Sequence, residues 1–451
     1  MANTRELLEA DFRHLWHPFT QHKLWAGEPP LVIARGEGNW LIDTEGKRYF
    51  DGVSSLWVTV HGHGHPAINQ AIADQLTRLD HSTMLGLTHA PAIRLAERLT
   101  GLAPTGLTRA FYSESGSTAV EIALKIAYQY CQLRGWKEKK TFVALENAYH
   151  GDTIGAVSVG GIELFHEVYR PLLFPVHRLP QPHCRNCRLG LTFPACDLAC
   201  ANKLDEMLSE HGAGICGLVV EPRVQGAAGI VVQPEGYLKR LYDICRDHEV
   251  LFIADEVATG FGRTGAMFAC ELEDTPPDLM AVGKGLTGGV LPLSATLASE
   301  EIFQAFWGEF DEFRHFFHGH TYTGNPLAAA AALASLDLMA ENQVLANVQA
   351  RAEQMAQGLA PLAGRPHVAE IRQQGLMGGI EIMADPAKNK AYAPGARMGH
   401  QVIMAARPRG VIVRPLGDTI VLMPPLSSSE EEIDLLVDAV SQAVIAVTEG
   451  A

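Results

Sequence analysis

Residues 250–265 read VLFIADEVATGFGRTG, an apolar run from Leu251 to Ala254 that ends on two adjacent carboxylates, Asp255 and Glu256. A short apolar run with such a polar boundary predicts a strand buried on both faces. A carboxylate buried at its end needs hydrogen-bond donors, a cation or a ligand. The two acids are expected to divide these tasks: Glu256 caps backbone or pairs with an arginine, and Asp255 meets a ligand, a structural anchor being the alternative for it. In an open parallel sheet, ligands sit outside the carboxyl ends of the strands, which is where Asp255 falls.

Outward from this stretch, between about residues 91 and 335, short β-rich runs alternate with helical ones. TFVALEN (141–147), GICGLVVEP (214–222), DLMAVGKG (278–285) and PLSATLAS (292–299) are further strands. Leu238, Leu241 and Ile244 repeat at helical spacing between two of them, a crossover long enough to make the next strand parallel. Such alternation predicts an α/β fold built on a large, mostly parallel sheet covered by helices. Both flanks differ. GNWLIDTEGKRYFDGVSS near the start has a turn at Glu45-Gly46 between alternating runs, predicting a small antiparallel element. After residue 335 come a long helix, HVAEIRQQGLMGGIEI, a helix near 395–407, GVIVRPLGDTIVLMPP as a hairpin and a closing helix from Ser429. The expected division is a large α/β domain over 61–335 and a smaller α+β domain assembled from 1–60 and 336–451.

The 451 residues, 47% of them hydrophobic, suffice for a large core. Thirty-six Lys and Arg against 51 Asp and Glu give a net charge of -15, which argues against nucleic acid or an anionic membrane surface as general partner. Small molecules are the expected clients. The opening MANTRELLEADFRHLW is acidic and amphipathic where a secretory leader is basic and then apolar, and no uncharged run approaches a membrane span. A cytoplasmic protein is expected.

Three strand ends carry ionisable groups: Glu221, Asp255 and Lys284. Lys284 lies in AVGKGLTGG, which lacks the spacing of a phosphate-binding Walker loop. Flanked by glycines, it can approach a cofactor closely, and its amine can condense with an aldehyde. An acid facing a ring nitrogen and a lysine facing an aldehyde are the two poles of a pyridoxal phosphate site; the alternative is a surface lysine. Gly116 and Ser117, opening a helix in YSESGSTAVEIALK, are candidate phosphate donors, although the same pattern is an ordinary helix start. Thr321 in GHTYTGNP is a second candidate, or a simple loop residue. Tyr149, directly after a strand, can lie on a flat ring, and His150 beside it is free to bond backbone. Neither GFGRTG nor GKGLTGG satisfies a dinucleotide-binding fingerprint.

Two clusters suggest metals. His61, His63 and His65 in VHGHGHP are better explained by a packed turn. Cys184, Cys187, Cys196 and Cys200 follow C-x2-C-x8-C-x3-C, which fits zinc, packed reduced thiols, an iron–sulfur cluster or disulfides; the proposed chemistry needs none of these, and no metal is assigned to the site.

Through Asp255, Lys284 and DEVATGFGRTG the sequence resembles the class III (ω-type) aminotransferases, fold-type I pyridoxal phosphate enzymes, over nearly its whole length. The resemblance implies that Lys284 bonds the cofactor aldehyde, Asp255 meets the pyridine nitrogen, Tyr149 stacks on the ring, and Gly116 and Ser117 hold the phosphate. It further implies a homodimer with shared sites in which Thr321 reaches the partner's phosphate. Glu221 would lie near the cofactor, Trp57 would line the substrate pocket and Arg414 would hold a substrate carboxylate. Within the family, LWHPFTQ, DGVSSLWVTVHGHGHP, HSTMLG, YSESGSTAVEIALK, YHGDTIGAVSVG and VIVRPLGDTIVLMPPL together resemble the branch that converts 8-amino-7-oxononanoate to 7,8-diaminononanoate in biotin biosynthesis. Ornithine, 4-aminobutyrate or ω-amino ketone enzymes are the alternative. Phe19 and Leu56 stand where the adenosylmethionine-using members carry tyrosine and tryptophan, so L-lysine is favoured over S-adenosyl-L-methionine as amino donor.

Overall fold

The computed structural model describes residues 3–28 and 30–450. Its central sheet has seven strands, in the spatial order Leu107–Ser113, Ser294–Ser299, Leu279–Val282, Leu251–Asp255, Ile215–Val220, Thr141–Leu145 and Val176–Leu179. All neighbouring pairs from Leu279–Val282 to Val176–Leu179 are parallel, whereas Ser294–Ser299 runs antiparallel to both its neighbours. The sheet is therefore mostly parallel, as its apolar runs predict. Leu107–Ser113 and Val176–Leu179, which form the two edges, are strands the sequence reading does not include.

The uninterrupted apolar runs follow from burial on both faces. Leu251 and Ile253 pack with Ala119, Ile122 and Ala123 of the helix Gly116–Leu133. Phe252 and Ala254 belong to the opposite layer, with Leu238 and Leu241 of the helix Tyr237–Asp247. Alternation along the strand thus assigns successive side chains to two cores, and neither position tolerates a polar residue.

The first part of the chain forms the antiparallel strands Ile33–Glu37, Trp40–Asp43 and Arg48–Asp51. The Glu45-Gly46 turn is held by Asp43, whose Oδ1 accepts from the amides of Glu45 and Lys47 at 3.0 and 2.9 Å. Val411–Ile412 joins the same sheet, pairing parallel with Phe50 and Asp51, so segments far apart in sequence share one ladder. A second sheet, Val368–Gln374, Met377–Ile382, Thr419–Leu422 and Arg414–Leu416, is antiparallel throughout. Helices Pro326–Glu341 and Val344–Leu359 lead into it, the first beginning before residue 335. Among the described residues no helix is long and apolar enough to cross a membrane.

Just after Asp51 comes a turn no sequence pattern signals. Ser54, Ser55, Leu56 and Trp57 all have positive φ, from 40° to 72°, a left-handed turn made without glycine. Each such residue costs about 1–2 kcal/mol, so surrounding bonds must enforce it. Ser55 Oγ donates to Asp51 Oδ2 at 2.7 Å, and buried Arg263 donates to Ser54 Oγ at 3.2 Å and to the Pro424 carbonyl at 2.6 Å. The turn delivers Trp57 to the carboxyl end of the central sheet.

Candidate active site

Strand register explains how three distant residues meet. Asp255 pairs with Ala281 and Ala254 with Val220, so Glu221 and the Gly283-Lys284 turn emerge at the same sheet level as Asp255. A cavity of about 400 Å³ opens there, lined by Glu221, Asp255 and Lys284 together with Trp57, Tyr149, Gly116 and Ser117. Of the residues proposed from sequence for the site, Thr321, Arg414 and the donor positions Phe19 and Leu56 do not line this cavity. Thr321 is exposed in the turn before the helix Pro326–Glu341. Arg414 is exposed on an edge strand opposite Val421, whose neighbours pack with Trp57. It makes no hydrogen bond or ion pair with the described residues.

Asp255 is 5% exposed. Its Oδ1 accepts from the Val257 amide at 3.1 Å, and its Oδ2 lies 2.7 Å from His150 Nδ1. His150 therefore bonds this carboxylate, not backbone. Its other ring nitrogen, Nε2, is buried without a partner, which makes Nδ1 the atom that fixes the ring. Glu256 behaves as the adjacent cap: its carboxylate accepts from Thr259 Oγ1 at 2.5 Å and from the Cys270 amide at 2.8 Å. Side-chain alternation sends it to the other face.

Glu221 accepts from the amides of Tyr149 and Gly226 at 3.1 and 2.9 Å. Burial pushes its carboxyl up to about 7, against the pull of His150, while Asp255 adds to the rise. Burial moves the Lys284 ammonium the other way, below the ordinary lysine range, partly offset by the charges of Asp255 and Glu221. An amine that gives up its proton more readily is the form that reacts with carbonyl carbon. Its Nζ lies 5.2 Å from the Trp57 ring centre, and Lys284 itself has φ +45°.

The opposite wall is the start of the helix Gly116–Leu133. Ser115 and Thr118 form its capping box, and Ser117 Oγ meets Thr153 Oγ1 at 2.8 Å and accepts from the Thr153 amide at 3.0 Å. A Cβ on Gly116 would stand 2.3 Å from Val257 Cγ1, so glycine lets this helix end press against the exit of the Asp255 strand. First-turn amides without intrahelical partners face an anion favourably there. Tyr149 donates its hydroxyl to Asp152 Oδ2 at 2.7 Å, which fixes the ring over the cavity rim. Burial raises the Tyr149 phenol well above its ordinary range, so it stays protonated.

The residues present fit pyridoxal phosphate. A half-buried lysine and a buried carboxylate share one cavity, which the rings of Trp57 and Tyr149 and the first residues of the helix Gly116–Leu133 also line. His150 and Arg263 are the contributors that sequence reading left without a role. The signal for His150 was its position directly after Tyr149; Arg263 acts through the Ser54–Trp57 turn, which no local pattern reveals.

Residues 23–444 match the family Aminotransferase class-III, and the chain belongs to this family of pyridoxal-phosphate-dependent aminotransferases. It is 55% identical over 450 residues to the adenosylmethionine-8-amino-7-oxononanoate aminotransferase of Nitratidesulfovibrio vulgaris, covering 99% of this chain and 83% of that protein. The enzyme of that name from Geobacter sulfurreducens is 49% identical, with 99% of each chain covered. The crystal structure of the Methanocaldococcus jannaschii enzyme superposes with a TM-score of 0.93 at 41% identity, covering 98% of this chain and 99% of that one. An amine transaminase from an uncultivated Pseudomonas species, in its PLP-bound form, gives 0.91 at 38% identity over 95% and 98% of the two chains.

Proposed function

We propose that this aminotransferase acts in the cytoplasm as a homodimer, converting 8-amino-7-oxononanoate to 7,8-diaminononanoate in biotin biosynthesis. The observation that carries the reading is the convergence of Lys284, Asp255 and Glu221 beside Trp57 and Tyr149, in a chain about half identical to relatives named for that acceptor. When bound, pyridoxal phosphate supplies an aldehyde that takes up the amino group and a ring that draws electrons from the donor carbon. Asp255 would hold the ring nitrogen, with His150 keeping the carboxylate in place. Tyr149 would cover the ring face, and Gly116 and Ser117 would hold the phosphate. Lys284 Nζ would take the proton that leaves the donor carbon and deliver it to the carbon of the cofactor aldehyde. After the donor keto product leaves, the acceptor enters the same cavity and the proton moves in reverse, giving ping-pong kinetics.

L-lysine is the favoured donor. Phe19 meets Phe165 edge to face at 5.3 Å, and Phe165 meets Tyr149 at 6.4 Å, which puts a ring without a hydroxyl in line with the cavity. Leu56, exposed beside Trp57, offers no flat surface to an adenosyl group. S-adenosyl-L-methionine is the second reading, since the relatives carry it in their names. The test is a product assay on 8-amino-7-oxononanoate with each donor supplied separately. A higher kcat/KM with lysine is expected; a clear advantage for adenosylmethionine would reverse the donor assignment, and no diamine with either would refute the acceptor.

Arg414 is assigned to the substrate carboxylate, because it is exposed and unengaged near the Trp57 cluster. Arg414→Ala should raise KM for the keto acid by roughly 10–100-fold with a smaller change in kcat, the loss of one charge-assisted bond. An unchanged KM would remove Arg414 from the pocket. Thr321, exposed outside its own chain's cavity, is assigned to the partner's phosphate. Mixing Lys284→Ala and Thr321→Ala proteins should restore about one quarter of wild-type activity after complete subunit exchange, as each mixed dimer keeps one intact site. No recovery despite demonstrated exchange would contradict shared sites.

A further inference from the structure

The insert between the strand Val176–Leu179 and the helix Ala199–His211 takes no part in the chemistry above, yet it gathers the chain's densest group of thiols. Cys184, Cys187, Cys196 and Cys200 all line one cavity of about 20 Å³, room for a single small ion. The remaining wall is largely proline, leucine and Phe193. Two turns bring the pairs in. Gly190 donates its amide to the Cys187 carbonyl at 3.0 Å, and left-handed Asp197 and Leu198 bend the chain between Cys196 and Cys200. Cys200 stands in the first turn of a 13-residue helix, whose positive end favours a thiolate.

We propose that Cys184, Cys187, Cys196 and Cys200 form a tetrathiolate site for zinc. Two short-spaced cysteine pairs facing one small cavity supply the ligand number and type of a closed structural zinc centre. No three of these sulfurs lie within 4.8 Å of one another among the described residues, so side-chain rotation must close the last distance. None of the four thiols is tied up in a disulfide. On binding, the four S–H bonds break, the four S–Zn bonds form and the protons go to solvent, with no change of oxidation state. The neighbouring His183, Glu370 and Glu381 group is a poorer candidate. Arg372 Nη1 already donates to both carboxylates at 2.6 and 2.5 Å.

The site would act as a staple. Arg185, between the first two cysteines, donates to the Pro386 carbonyl at 3.0 Å and to Asn389 Oδ1 at 3.1 Å, and His183 meets Glu370 at 3.0 Å. Closing the thiols on a metal would fix this insert against the segment from Val368 onward.

The full-length protein, purified under reducing conditions and dialysed against EDTA, is titrated with zinc chloride and measured by elemental analysis. About one tightly held zinc per chain is expected, with the cluster's thiols protected from a thiol reagent until a strong chelator is added. Cys184→Ser with Cys196→Ser, one from each pair, should lower bound zinc to roughly a tenth while circular dichroism reports the fold. Less than about 0.1 zinc per wild-type chain, unchanged zinc in the folded double variant, or iron with sulfide in place of zinc would each overturn the assignment. Should the double variant fail to fold, stoichiometry and thiol protection of the wild type decide alone.

Discussion

Replacing Lys284 with alanine is expected to lower turnover by roughly 10⁴-fold, because in the proposed reaction one side chain would supply both the amine that meets the aldehyde and the base that moves the proton. Other polar side chains at the cavity are already engaged. Glu221 is held by two backbone amides, Asp255 by Val257 and His150, and the Tyr149 hydroxyl by Asp152. Product formation under saturating donor and acceptor measures the loss. Added methylamine should recover part of the proton-transfer step, since a small amine can enter the space the side chain vacates. Turnover within about tenfold of wild type would mean that another group moves the proton.

Asp255→Asn should lower kcat by roughly 10³-fold while keeping most of the cofactor. The amide has the shape of the carboxylate and can still accept from the Val257 amide. What it loses is the carboxylate at the buried end of the Leu251–Asp255 strand, which on the proposed reading the ring nitrogen would need for electron withdrawal. His150→Asn should give a smaller loss, because His150 positions the carboxylate through one 2.7 Å contact. Cofactor content read from absorbance, together with kcat, separates the two effects. A fall in kcat of less than about tenfold for Asp255→Asn would contradict the role assigned to its charge.

The strands that build the site were legible because they are buried on both faces. VLFIAD, GLVV and LMAV are continuous apolar runs, and their polar ends mark the sheet's carboxyl edge. The edge strands escaped notice for the converse reason. In Leu107–Ser113, Thr108 and Arg109 are exposed, and Val176–Leu179 has only four residues, one of them fully buried. The left-handed turn at Ser54–Trp57 left no trace in residue type, since its φ values are imposed by Asp51 and Arg263. The contact of His150 with Asp255 is not legible locally, because it depends on the register of Thr141–Leu145 and Leu251–Asp255 against the strand Ile215–Val220 that lies between them. Of the two expectations for Glu256, arginine partner or backbone cap, the structure gives the cap, because a carboxylate one residue past Asp255 points into the other layer.

The central claim is that Lys284, of all the lysines, is the one that bonds the cofactor. Pure protein loaded with pyridoxal phosphate and reduced with borohydride should yield, on peptide mass mapping, a single stable adduct on the peptide containing residues 278–289. The Asp255→Asn protein should give the adduct on the same peptide. An adduct on any other lysine, or none from a protein that has demonstrably bound the cofactor, would contradict the account.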